Sequence, residues 1–183
     1  MKYLLDFQFF IEKIEVKDTD PADIQSAKEK LNSIEKHLSE YPSLKSKIDE
    51  IYKKNQSNPK NIDKEIENLL GKDPDQRNPF AVDYQRVAKL DSEIKNLTDD
   101  IFLDDTKLKL TSQNISLATN DDVKKKMTID LTQMKLNIDV KKKKLDDKRK
   151  EVEESRKKVN DGMIKNKKEV EEASKKISEM DKK

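Results

Sequence analysis

Few residues in this chain are of types that do chemistry, and their spacing decides what each group can do. His37 is the only histidine and there is no cysteine. A general base or a metal site needs company, and His37 sits beside Leu38 in a helical pattern without any. It reads as a surface histidine. Acidic pairs stand at Asp99-Asp100, Asp104-Asp105, Asp121-Asp122 and Asp146-Asp147. A calcium loop needs a glycine at its sixth position and a glutamate at its twelfth. Neither Asp18 to Asp23 nor Asp73 to Asp75 is followed by them, so these acids read as helix caps and solvated faces. Gly71 and Gly162 are the only glycines, which leaves no phosphate-cradling loop. No serine stands in a nucleophile motif. The expectation is therefore no catalytic residue, no metal, no cofactor and no enzyme.

Lysine and arginine are the other chemically active types. Residues 141–183 carry 17 basic against 11 acidic side chains, whereas the whole chain carries 40 against 38. Lys141, Lys142, Lys143, Lys144, Lys148, Arg149 and Lys150 are the candidate contacts to phosphate or another anionic surface. A run of four lysines covers every side of a helix, however, and no aromatic residue accompanies it for base stacking. Nucleic acid is thus an alternative partner and not the favoured one.

The elements that carry these residues follow from composition and period. Only 32% of the 183 residues are hydrophobic, 43% are charged, and mean hydropathy is −1.06. A thick globular core needs more apolar residues, and a disordered chain normally has a large net charge, whereas this one has +2. Extended, packed helix satisfies both constraints. No apolar run approaches the ~18 residues that span a bilayer. Met1 to Lys17 is apolar but carries Asp6, Glu12 and Glu15, which makes a poor signal peptide. The glycosylation triplets at Asn55, Asn96 and Asn114 accordingly read as chance matches. The expected location is cytoplasmic or virion-associated.

Along the chain, residues 1–17 fit a strand or a helix by period, and the lack of a partner strand nearby favours helix. Residues 18–71 read as a short-helix bundle. Asp18 to Pro21 starts a helix carrying Ile24, Ala27, Leu31, Ile34, Leu38 and Tyr41. Pro42 is expected to break it before Leu44, Ile48 and Ile51, and Asn58-Pro59 restarts a helix with Ile62, Ile66, Leu69 and Leu70 that Gly71 ends. Residues 72–78 are a polar linker.

Residues 79–160 carry the strongest pattern. Phe80, Val87, Ile94, Ile101, Leu108 and Ile115 repeat every seven residues, with Leu90 and Leu97 between them. The interleaved positions then degrade to Asp104, Thr111 and Ala118. After a turn at 119–122, Met127, Leu131, Met134, Ile138, Leu145, Val152 and Val159 repeat in the opposite sense. The two stripes mirror each other about the turn, which predicts an antiparallel coiled-coil-type hairpin. At Asn160-Asp161-Gly162 the first arm has run out, and a break is expected before a charged C-terminal helix or tail over 161–183. The fold class is all-α: a short-helix bundle, then a long helical hairpin with a C-terminal helical extension.

Leu103, Leu110, Leu117, Ile129, Leu136 and Val140 lie off this seam. A helix apolar on two sides should be buried on two sides, so these six are the candidate interface. Their cover is either the residue 18–71 bundle or another chain. In general build, and without a specific motif, the chain resembles helical scaffolds, packaging-ring subunits and other small coiled-coil assembly proteins of viruses and bacteria. The functional expectation is a structural or scaffolding protein that assembles with itself or docks a protein partner. The alternatives are an anion-binding protein using the basic C-terminal helix and a secreted or surface helical binding module.

Overall fold

The computed structural model describes residues 22–56 and 58–180. The N-terminal apolar segment and the cap at Asp18 to Pro21 lie outside the described residues. Helix accounts for 93% of the described residues, and no strand occurs among them. Four α-helices follow in order: α1 (Ala22–Lys54), α2 (Ile62–Leu70), α3 (Pro79–Leu117) and α4 (Asp121–Met180). Single 3-10 turns at Pro59–Asn61 and Pro74–Gln76 lead into α2 and out of it.

The two expected helix breaks are absent. Pro42 lies inside α1, which runs 33 residues without interruption. An interior proline costs about 3 kcal/mol, because it removes an N–H and crowds the preceding turn. Here the ring sits on the exposed face of α1. Tyr41 on one side of it and Ile48 on the other are both buried. The seam spacing runs through Pro42 unchanged, and packing on both sides outweighs the local cost.

Gly162 lies inside α4, which is 60 residues long. Glycine costs about 1 kcal/mol relative to alanine in such a position. The Asn166 side-chain amide donates to the Gly162 carbonyl at 2.8 Å. More important, α4 does not lose its partner where α3 begins. Val159 and the half-buried Met163 belong to a cluster that contains Leu38 and Tyr41 of α1. One helix takes over from another along the same stripe, and Val170, a turn or two further on, is also buried.

The base of the hairpin is thus a layered helical core. One cluster joins Tyr41 to Phe80, Val87, Leu90, Val152 and Val159. A second joins Ile48 and Tyr52 of α1 to Ile62 and Ile66 of α2 and to Ala81 and Ala88 of α3. The small alanines let α1 approach α3 closely. Tyr41 meets Phe80 and Tyr84 edge to face, each at 6.1 Å between centroids. The Tyr84 hydroxyl donates to Asp49 at 2.8 Å, and Lys45 sits over the Tyr84 ring.

The connections are set by local chemistry. Gly71 ends α2 with φ of 91°, a conformation that side chains disfavour. Asn78 caps α3: its Oδ1 accepts from the Phe80 and Ala81 amides. Its Nδ2 donates to the His37 carbonyl at 2.7 Å, which pins the start of α3 to the middle of α1. Asn120 caps α4 in the same way, accepting from Asp122 and Val123.

Replacing Gly162 with Ala tests the continuity of α4. A Cβ there meets nothing within 4 Å, so the variant should gain about 1 kcal/mol. A thermal melt that falls would show a conformation at Gly162 that alanine cannot share.

Candidate interaction surface

Two arms of a hairpin can meet in more than one register, and the polar contacts fix this one. Label the seven-residue repeat with Ile101 and Ile138 at a, which puts Asp104, Thr111, Met134 and Lys141 at d. Lys141 Nζ donates to Asp104 at 2.6 Å, and Thr111 Oγ1 lies 4.0 Å from the Met134 sulfur. Reversing one helix against another brings like flanking positions together. The salt bridges obey this: Asp91 with Arg156 at 2.6 Å and Asp105 with Lys142 at 3.9 Å join e to e, while Arg86 with Glu151 at 2.8 Å joins g to g.

The seam residues sit where their period places them. Val87, Leu90, Ile101, Ile138, Leu145, Val152 and Val159 are buried. Ile94, Leu97 and Leu108 pack on these clusters while partly exposed. Toward the turn, Ile115, Met127, Leu131 and Met134 are only half-buried. Burial therefore fades from base to tip, because two helices alone cannot enclose a seam on all sides.

The basic run divides into spent and free charges. Lys141 and Lys142 pair with Asp104 and Asp105, Lys148 pairs with Glu93, and Arg149 pairs with Asp146 at 3.8 Å. Lys143, Lys144 and Lys150 are exposed and make no ion pair with the described residues. Spacing alone could not reveal that Lys141 and Lys148 occupy seam positions facing the other arm. The acids opposite them, Asp104 and Glu93, are the matching signal.

The six off-seam apolar residues are all exposed, from 54% at Leu136 to 77% at Leu117. The register separates them. Leu103, Leu110 and Leu117 share the c position and form one line along α3. Val140, at c on α4, stands nearly level with Leu103 on the same c/g face. Ile129 and Leu136 occupy f, on the outer edge of α4 away from the seam. The six do not form one patch, and the c/g line is its coherent part. Val123, at g, extends that line toward the turn and is 48% exposed. Phe102, at b, is an exposed aromatic on the other face. Both were hidden in the sequence, because neither repeats at seven.

The face that α1 covers is the opposite one. Ala81 and Ala88 at b and Tyr84 at e pack on α1. Past the end of α1, Gln56 accepts from Lys95, also at b, at 2.7 Å. Among the described residues only α4 packs on α3 from there to Leu117, a length of about 33 Å at 1.5 Å per residue. α1 and α2 are thus at the wrong end and on the wrong face to cover the leucine line.

Concave chemistry is sparse. An open groove of about 700 Å³ between α1 and α2 is lined by Lys47, Glu50, Ile51, Lys53, Lys54, Glu65 and Leu69. Glu65 there accepts from Asn55 at 3.2 Å and pairs with Lys54 at 3.7 Å, and no nucleophile with a base joins them. Among the described residues no group of three or more His, Cys, Asp or Glu could hold a metal. Among them, no helix is long and apolar enough to cross a membrane. Compared with protein-family models, with curated proteins and with solved structures, the chain matches none.

Two measurements check the hairpin. Replacing Ile101 with Asp should cost roughly 3–5 kcal/mol, since a charge enters an apolar layer without a partner; a melt unchanged from wild type would mean that the seam lies elsewhere. The Asp104–Lys141 pair predicts an acid limb. The hydrogen bond from Lys141 holds the Asp104 carboxyl below the ordinary aspartate range and raises Lys141. A depressed folded-state carboxylate stabilises above its unfolded pKa, and that stability is lost as pH falls through the folded value. Asp104→Asn should flatten the decline in melting temperature between about pH 5 and about pH 2 relative to wild type.

Proposed function

We propose that this chain is a non-enzymatic helical interaction protein, a scaffold or assembly component whose hairpin docks on another helical surface. The observation that carries the reading is the leucine line at Leu103, Leu110 and Leu117, exposed on the face turned away from α1. Burying one leucine is worth roughly 1.5–3 kcal/mol. A line of them on a rigid two-helix arm supplies both the driving force and the geometry for helix-on-helix docking, and exposed apolar patches of this kind mark interaction sites. The fading burial of the seam toward the turn supports the same reading, since added helices would complete a core that two cannot close.

The anion-binding alternative draws less support. Lys141, Lys142, Lys148 and Arg149 already pair with carboxylates. A phosphate at this run would compete with those pairs, and of its seven basic residues only Lys143, Lys144 and Lys150 stand without one.

The test uses the full chain and a dye whose fluorescence reports exposed apolar surface. The chain should either self-associate or, as a monomer, bind the dye. Replacing Leu103 and Leu110 together with Lys should abolish both behaviours while leaving helix content unchanged by circular dichroism. A wild-type monomer that binds no dye at high concentration would overturn the docking reading.

A further inference from the structure

The leucine line is symmetric about its own centre. Leu103 and Leu117 lie seven residues either side of Leu110, so a two-fold axis through Leu110 maps the line onto itself. A second copy laid antiparallel across the c/g face would set Leu110 on Leu110 and Leu103 on Leu117. Such a self-complementary patch is what an isologous interface requires.

The charges on that face match in the same arrangement. The hairpin register fixes which residue of α4 stands level with each residue of α3. Across the two-fold, Lys107 at g comes within a turn of Asp130 of the second copy, which is also at g. Asp100 at g comes within a turn of Lys126 of the second copy, at c. None of these four makes an ion pair with the described residues inside one chain; Lys107 acts on Asp104 and Asp100 on Lys141 only through their fields. The other two-fold arrangement, with both turns at the same end, sets α3 over α4. It would seat Leu103 on Val140 but Leu110 on Gln133 and Leu117 on Lys126, so it leaves two of the three leucines against polar side chains.

From this juxtaposition we infer that the occupant of the leucine face is a second copy of this chain, docked antiparallel tip over tip with Leu110 on the two-fold axis. The inference rests on the docking reading and names its partner. Two hairpins stacked on their c/g faces make a four-helix unit at the tips, and the leucines become its second core layer. The bases, with α1 and α2 on the e/b face, stay outside the contact.

The chain contains no cysteine, so single introduced thiols report the geometry directly. Residues facing each other across the axis fall near the ~4.4–6.8 Å Cα separation a disulfide needs. The full chain should sediment as a dimer. Under mild oxidation Leu110→Cys should give a covalent dimer in high yield, and Leu103→Cys alone should not. Leu103→Cys combined with Leu117→Cys should again crosslink. Lys107→Asp should weaken the dimer by roughly tenfold, because the two-fold repeats the lost pair, and adding Asp130→Lys should restore it. A chain that stays monomeric at every concentration yet binds the apolar dye would overturn the second copy while leaving the docking reading in place. A dimer in which Leu103→Cys crosslinks and Leu110→Cys does not would overturn the arrangement.

Discussion

An apolar stripe on a helix of 60 residues has to be kept from water along about 90 Å. No other helix in this chain is that long, so α4 cannot be covered by one partner. It is covered by two in succession: α3 from the turn to Val159, and α1 beyond. The rest of the architecture answers that constraint. The changeover occurs around Tyr41, Phe80, Val159 and Met163, where all three long helices meet. The Asn78 side chain stands at the same place, capping α3 and holding the His37 carbonyl of α1. The point where one partner gives way to the other is also the point most firmly tied.

The seam itself is a compromise between cohesion and specificity. A seam apolar at every position would slide, since one heptad step looks much like the next. Asp104 and Lys141 stand at d positions facing each other; a slip by one heptad one way would set them on Met134 and Leu97, and the other way would give Asp104 to Lys148 and leave Lys141 on Thr111. Charged pairs of this kind add little net stability, but they penalise the wrong registers, which is the best-attested use of polar residues in helical cores. Leu97 and Leu108 flank the polar layer, so its cost stays local.

How much of this was legible in the sequence depends on what each residue had to decide. Seven-residue repeats such as Val87, Ile94 and Ile101 announce a packed helix whatever their partner, and the mirrored stripe from Met127 to Val159 announces that the partner is the other arm. Pro42 and Gly162 were misread for one reason. Both are local breakers, and a local rule assigns a break wherever tertiary packing is not yet known. The helix over Pro42 survives because Tyr41 and Ile48 are held from outside α1, and the helix over Gly162 survives because Leu38 and Tyr41 wait beyond the end of α3. The contacts at Gly162 join residues more than a hundred positions apart, and Ile48 reaches Ala81 and Ala88 on another helix. The lysine run was legible in a related, partial way: its composition was plain, but only the register assigns Lys141 and Lys148 to the seam. The off-seam leucines were visible as a second face, and only the three-dimensional register divides them into the c/g line and the f edge.

The bare length of the hairpin beyond Lys95 has a mechanical consequence. Whatever sits on the tip is held about 33 Å from the α1 and α2 base by a strut without a hinge. The arm therefore works as a spacer whose reach is written in residues. Adding one heptad to each arm would lengthen it by about 10.5 Å and return the leucine line to the same compass bearing, while adding three or four residues would rotate that line around the strut. Reach and bearing are set together, and the seven-residue repeat is the smallest step by which the first can change and the second stay the same.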